Sequence, residues 1–282
     1  MVPETQLEAV VVAYGYGNDL ERCLAALAPL CPTHVVDNSS EPEIRSLCDR
    51  LGATYDNPGA NLGFARGVNR GVALTTPGSD VLLVNPDALV TAPTVHLLQT
   101  ELRSPRVGVV APSLVDPATG HPQRVLWPFP SPGRMWRQAL TGGDGGPSET
   151  EFAVGAVLLL RRDALDDVGG FDERFFLYAE ETDWQRRAVA AGWQVQWCRE
   201  AVAEHVGAGT STDTIRRGAF VHAGTETYLR KWYGTAGWQA YRAAVIVGAL
   251  LRCAASRSWR GEHGRRCRLY LRGPRRVAGL DA

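Results

Sequence analysis

Lysine is all but missing from this 282-residue chain: Lys231 is the only one, so nearly all the basic charge is arginine. Net charge is missing too, since the formal balance at pH 7 is zero. Without a global excess of positive charge there is no electrostatic case for a nucleic-acid partner. The six cysteines form no CxxC pair and no Cys/His cluster at zinc spacing. That pattern argues against a zinc ribbon or a disulfide framework and fits a reduced, cytoplasmic protein. No apolar run approaches the roughly eighteen residues needed to cross a bilayer. The longest in the tail, AAVIVGALL at 243–251, is half that length. The opening MVPETQLEAVVVAYG holds acids and no basic segment before its apolar run, unlike a signal peptide. No internal repeat is present. What remains is ordinary globular composition, 45% hydrophobic and 21% charged, enough for one large domain or two fused halves.

A continuous apolar run at 7–14 reads as a strand buried on both faces, and further strands are expected at 33–36, 53–55, 81–84 and 107–110. Helical patterns separate them at 18–30, capped by Asn18 or Asp19, and at 43–51, 61–74 and 94–103. Strands alternating with helices at this interval predict a parallel sheet wound by helices. Ligands of such sheets bind beyond the carboxyl ends of the strands, where Tyr14, Asp37 and Asp87 fall. Residues 112–150 are rich in Pro and Gly and read as a long connection with a mobile tip at GGDGG, 142–146. A strand at 152–161, a helical turn at 162–168 and strands at 194–198 and 201–205 follow. Helices are expected at 214–232 and 240–272.

The most distinctive stretch is GGFDERFFLYAEETDWQRRAVAAGW, 169–193. Aromatic residues lead into Glu180, Glu181 and Asp183, and a helix follows that Gly192 closes. Acids in a first turn suit the positive end of a helix dipole, which is sufficient reason for them to be there. Large apolar groups beside carboxylates also tune general bases. Glu180 and Asp183 share one helix face, and Glu181 lies about 100° round from Glu180, so the three acids cannot share one job.

GGFDERFFLYAEETDW resembles the acidic motif of family 2 glycosyltransferases, in particular the bacterial rhamnosyltransferase-like branch, whose pattern runs roughly GGFDE-x-FF-x-Y-x-E-D-x-D. The match holds at Gly169 to Glu173, Phe175, Phe176, Tyr178, Glu180 and Asp183, and departs at Glu181, where the family usually has Asp. Three further blocks stand in the family's order: VVDNSS at 35–40, NLGFARGVNRG at 61–71 and LLVNPDA at 82–88. The resemblance covers 10–211 and implies a GT-A-like α/β fold, a Rossmann-type mostly parallel sheet flanked by helices. It implies an inverting, metal-dependent transfer of a sugar from a nucleotide-diphosphate donor, of dTDP-rhamnose or UDP-sugar type, to an acceptor hydroxyl on a glycan, a lipid-linked sugar or a small molecule. Cell-surface glycan, glycolipid or natural-product synthesis is the implied setting.

The resemblance also implies roles. Glu181 by alignment is the catalytic base, with Glu180 and Asp183 positioning. Ala13, Tyr14, Asp37, Asn61, Gly63, Arg66, Asn69 and Asn85 line the donor. Asp87 and His205 hold Mg²⁺ or Mn²⁺. Read alone, Asp37 caps a helix, Asp87 is a turn residue and His205 is structural. A sugar-nucleotide nucleotidyltransferase is the rival enzyme, but it needs a basic glycine-rich loop after the first strand, where this chain has AYGYGNDLERC. A non-catalytic GT-A-like binding protein is the other alternative.

The division expected is a nucleotide-sugar-binding half at 1–111, the connection at 112–150, an acceptor and catalytic half at 151–232, and a basic helical extension at 233–282. Between Arg252 and Arg276 nine arginines face one acid, Glu262. With the apolar run before it, the 243–276 tail reads either as an interfacial anchor on the anionic inner face of the plasma membrane or as a packed helix with a solvated basic end.

Overall fold

A computed structural model describes residues 6–143, 151–207, 214–256 and 261–281. The chain divides into two compact units that are discontinuous in sequence. The first comprises Met1–Trp127, Glu151–Phe176 and Glu180–Thr212; the second comprises Pro128–Thr150, Leu177–Ala179 and Asp213–Ala282.

The chain begins with β1 (Leu7–Ala13), α1 (Asn18–Leu27), β2 (Thr33–Asp37), α2 (Pro42–Leu51) and β3 (Thr54–Asp56). Next come α3 (Phe64–Leu74), β4 (Asp80–Val84), β5 (Ala88–Leu89), α4 (Ala92–Leu102) and β6 (Val107–Val115). Two short strands, β7 (Pro122–Gln123) and β8 (Leu126–Pro128), precede α5 (Pro132–Thr141). The chain then forms β9 (Glu151–Ala153), β10 (Val157–Leu160), α6 (Arg162–Val168), α7 (Glu180–Ala190) and β11 (Gln194–His205).

In the first unit, among the described residues, nine strands form one sheet in the order β3-β2-β1-β4-β10-β6-β11-β5, with β7 on β6. β1 pairs in parallel with β2 and β4, β2 with β3, and β6 with β11. β10 is antiparallel to both neighbours, β4 and β6. The fold is therefore α/β with a mostly parallel sheet, as the sequence led us to expect. All seven residues of β1 and all five of β2 are buried, which is why neither strand alternates between apolar and polar residues; the buried Glu8 and His34 pair with each other at 2.6 Å. β10 is also wholly buried, but it enters the sheet from a turn instead of a helical crossover, so it runs the other way. α3 lies close on β1 because two of its positions are glycine. A Cβ at Gly67 would meet Val12 Cγ1 at 2.7 Å, and one at Gly71 would meet Val10 Cγ1 at 2.3 Å.

The second unit is helical. Besides α5 it contains α8 (Thr214–Ser256), α9 (Glu262–Arg272) and α10 (Pro274–Val277). Trp238, Tyr228 and Tyr270 are buried in it. The Arg242 guanidinium donates to the backbone oxygens of Tyr270 and Leu271, closing the end of α9 where the dipole favours a cation. The C-terminal tail is thus helical and basic, as expected.

Several local expectations need correction. Gly17 precedes α1 as its N-cap, without a side-chain hydrogen bond, in place of Asn18 or Asp19, and the helix stops at Leu27. The strand expected at 152–161 is broken between β9 and β10. The two strands expected around 194–205 are one, with a register shift between Cys198 and Val202. The helices expected at 214–232 and 240–272 are redrawn: α8 runs to Ser256 with a break at Gly234 (φ 66°), and α9 begins at Glu262. Residues 112–150 hold the end of β6, β7, β8 and the ten-residue α5. The part of the expected mobile tip at 144–146 and tail residues 257–260 lie outside the described residues. All six cysteines are free thiols.

Candidate functional site

Parallel pairing brings the carboxyl ends of β1, β2 and β4 to one edge, with Ala13 opposite Asp37. Asp37 is fully buried. Its Oδ1 accepts from the Ser39 amide and hydroxyl and from the Ser40 amide. Its Oδ2 accepts from the Glu41 amide and the Tyr55 hydroxyl. The carboxylate thus braces the loop after β2. That loop grips the one after β1: Gly15 N–H donates to Ser39 Oγ (3.0 Å) and Tyr16 N–H to Glu41 Oε2 (2.7 Å). The loop after β1 leaves two aromatic side chains exposed, with Tyr14 55% and Tyr16 40% accessible. Asp37, expected to line the donor, thus meets protein donors at both its oxygens.

The block 61–71 starts α3 at the same edge. Asn61 Oδ1 accepts from Gly63 N–H at 2.9 Å. Gly63 has φ 80°, and a Cβ there would fall 2.4 Å from the Phe176 carbonyl oxygen, which accepts from Phe64 N–H. Only glycine meets both demands. Arg66 is half exposed and pairs with Glu173 at 3.3 Å. Asn69 brackets the backbone of Phe171, accepting from its N–H at 2.7 Å and donating to its carbonyl at 2.8 Å. It ties α3 to the GGFDE segment.

Asn85 follows β4, and its N–H donates to the Ala156 carbonyl at 2.8 Å, which fixes the turn before β10 against the end of β4. Asp87 is buried, at 9% exposure. β11 ends beside it: His205 pairs with Ala88, and Val206 N–H donates to the Asp87 carbonyl. His205 Nε2 stands 3.6 Å from Asp87 Oδ1. Its Nδ1 lies 2.8 Å from Gln123 Oε1. Burial holds this imidazole below its ordinary value against the pull of Asp87. Among the described residues no group of three or more His, Cys, Asp and Glu gathers at metal-binding positions. Two donors nevertheless face each other here, enough for a hard cation that takes the rest of its shell from phosphate and water.

The acids occupy the first turn of α7. Tyr178 and Ala179, just before it, both have φ 69°, a sparsely populated region that persists at functional sites when the surroundings enforce it. Glu180 is 4% exposed. Among the described residues its Oε2 meets no donor. Burial first, and then the neighbouring Glu181, raise its pKa well above the ordinary 4.5. The sign follows. The folded chain holds this proton where the unfolded chain has released it, so stability falls as pH rises past about 4.5. Glu180→Gln is expected to remove that slope from a pH series of urea midpoints.

Asp183 is inaccessible, and its Oδ2 accepts from Arg187 Nε at 3.1 Å. Arg187 in turn donates to the carbonyls of Val168 and Gly170. Trp184 Nε1–H donates to the Gly169 carbonyl, and the Gln185 amide exchanges two hydrogen bonds with the backbone of Ala153. Asp183, Trp184 and Gln185 therefore hold the helix. Glu181 is partly accessible and lies against Gly155, where a Cβ would sit 3.2 Å from its Cγ. Gly155 belongs to the turn that Asn85 anchors. The longer side chain at 181 thus has a glycine to lie on, which sequence reading missed, as it missed Gln123.

Residues 81–260 match the family described as Glycosyl transferase family group 2. The N-acetylglucosaminyl-diphospho-decaprenol L-rhamnosyltransferase of Mycobacterium tuberculosis is 30% identical, with 92% of this chain and 98% of that protein aligned. The Haloferax volcanii low-salt glycan biosynthesis hexosyltransferase Agl10 is 25% identical over 71% of this chain and 66% of its own length. Among solved structures, residues 1–349 of S. aureus TarS align with a TM-score of 0.52 and 13% identity, covering 95% of this chain and 92% of that one. At that identity the likeness is one of fold.

Proposed function

The chain belongs to glycosyl transferase family group 2, and from that premise we propose that it moves a sugar, with inversion, from a nucleotide-diphosphate donor to a lipid-linked acceptor hydroxyl. The observation that carries this reading is local. Glu181 rests on the turn before β10, and that turn is hydrogen-bonded to the strand end that leads into Asp87. A proton acceptor and a candidate diphosphate-binding acid thus share one sheet edge.

Burial and the neighbouring Glu181 push the Glu180 carboxyl up, and Glu180 is nearly inaccessible, so we assign the partly accessible Glu181 to take the acceptor hydroxyl's proton. Tyr14 and Tyr16 offer ring faces to the donor's base. The amino end of α3 and the Arg66 guanidinium suit the diphosphate. Asp87 and His205 would hold Mg²⁺ or Mn²⁺, which supplies charge to offset the leaving diphosphate. Asn61 and Gly63 shape the loop before α3, while Asn69 acts through the Phe171 backbone it holds. The M. tuberculosis relative is named for an L-rhamnosyl transfer to a diphospho-decaprenol sugar, so we assign dTDP-rhamnose type chemistry and a polyprenyl-diphosphate sugar first. The test is calorimetry of dTDP-, UDP- and GDP-sugars with Mn²⁺ and with EDTA. Tight binding of one donor only with Mn²⁺, weakened about tenfold or more by Asp87→Asn, is expected. Equal binding in EDTA overturns the metal assignment.

A lipid-linked acceptor also requires contact with a membrane. Among the described residues no helix is long and apolar enough to cross one. In the tail Leu250, Leu251 and Leu271 are exposed, and Arg265, Arg272 and Arg276 are exposed with them. We assign these to the anionic inner face of the plasma membrane. Flotation with phosphatidylglycerol vesicles should carry the protein, and with phosphatidylcholine or high salt it should not. Equal flotation with both lipids, or none, removes the assignment.

A further inference from the structure

We propose that Gln123 is a positioning residue: it fixes the proton of the His205 imidazole on Nδ1 and so turns the Nε2 lone pair toward Asp87. Two hydrogen bonds tie the pair. The Gln123 amide nitrogen lies 2.6 Å from the His205 backbone oxygen, and the amide oxygen lies 2.8 Å from Nδ1. The first bond decides the second. A backbone carbonyl can only accept, so the amide group facing it must be the NH₂. Turning the amide over would set two oxygens at 2.6 Å with no hydrogen between them. The atom facing Nδ1 is therefore an oxygen, and Nδ1 must carry the hydrogen.

In a neutral imidazole the other nitrogen then presents a lone pair. That nitrogen is the one 3.6 Å from Asp87 Oδ1. Two acceptors aimed across this gap suit a cation that takes both as ligands. Histidine ligands of metals generally donate their second N–H to such an outer partner. The surroundings support the arrangement. Gln123 sits opposite Leu114 in the β6–β7 pair, and Gly207, at φ 62°, folds over it. A Cβ at Gly207 would come 3.4 Å from the Gln123 nitrogen and 3.5 Å from the His205 ring.

The consequence for a cation rests on the function proposed above; the proton's location does not. The experiment is long-range ¹H–¹⁵N correlation of the ring nitrogens, with the His205 signals assigned by their loss in His205→Gln. In the unsubstituted protein Nδ1 should show the protonated and Nε2 the unprotonated signature. Gln123→Leu should lose that preference, whereas Gln123→Glu, whose carboxyl can take up a proton to donate to the His205 carbonyl while its other oxygen accepts at Nδ1, should retain it. A helix-neutral loss of fold would affect both variants, so retention in Gln123→Glu alone marks positioning. Titrated Mn²⁺ is the second probe. It should broaden the His205 signals, and in Gln123→Leu the same broadening should need roughly 10–100-fold more metal. A proton found on Nε2 in the unsubstituted protein, or an unchanged tautomer in Gln123→Leu, overturns the proposal. The expected tautomers without Mn²⁺ broadening uphold it and overturn the metal reading.

Discussion

Glu181→Gln is expected to lower turnover by about 10²–10⁴ with donor affinity kept, the loss that follows removal of a positioned proton acceptor. The same amide substitution next door should do far less. Glu180 is buried, and burial pushes its carboxyl toward the neutral form, which Gln imitates in shape and charge. Asp183→Asn should act on stability, because Asp183 holds Arg187 and, through it, the carbonyls of Val168 and Gly170. Removing one partner of a buried ion pair outright, as in Asp183→Ala, costs about 3–5 kcal/mol. Steady-state kinetics and melting curves of the three amide variants therefore separate the acids. A turnover loss larger in Glu180→Gln or Asp183→Asn than in Glu181→Gln means the base is another acid. Glu181→Asp should keep activity, since it restores the residue the family usually has and frees the space above Gly155.

The sheet was legible because strands alternate with helices at a regular interval and its central strands β1, β4 and β10 are largely apolar and buried. The acid motif was legible as a block of aromatics and carboxylates. What each polar side chain does there was not. Asn69 and Phe171 are 102 positions apart, and Gln123 and His205 are 82 apart; no spacing rule links such pairs. Asp37 reads alone as a helix cap, and no spacing rule shows that Tyr55 joins the 39–41 amides around it. Tyr178 and Ala179 carry positive φ without the Gly or Asn that usually signals it. The strand expected at 152–161 was drawn too long for a related reason: an apolar run does not show the turn at 154–156 that separates β9 from β10.

Gly224→Ala is expected to be destabilising and to slow turnover by roughly a hundredfold, against what helix propensity alone predicts. Alanine in place of a helical glycine is ordinarily worth about 1 kcal/mol. At Gly224, in α8, an added Cβ would lie 2.2 Å from the backbone oxygen of Tyr178 and 2.9 Å from its carbonyl carbon. No rotamer change relieves a contact with backbone, so either the helix or the Leu177–Ala179 segment must shift. Overpacking of this kind costs about 1–3 kcal/mol, which outweighs the propensity gain. The segment is already held at positive φ at two successive residues, and the chain passes straight from Ala179 into Glu180 and Glu181. Misplacing a catalytic group by about an ångström is enough for a hundredfold loss. Gly218→Ala, in the same helix, is the control: among the described residues nothing lies within 4 Å of the added Cβ, so it should be neutral or stabilising by up to about 1 kcal/mol. Melting temperature and kcat, measured beside donor KM, read both changes. If the two alanine variants behave alike, α8 does not set the backbone that precedes the acids.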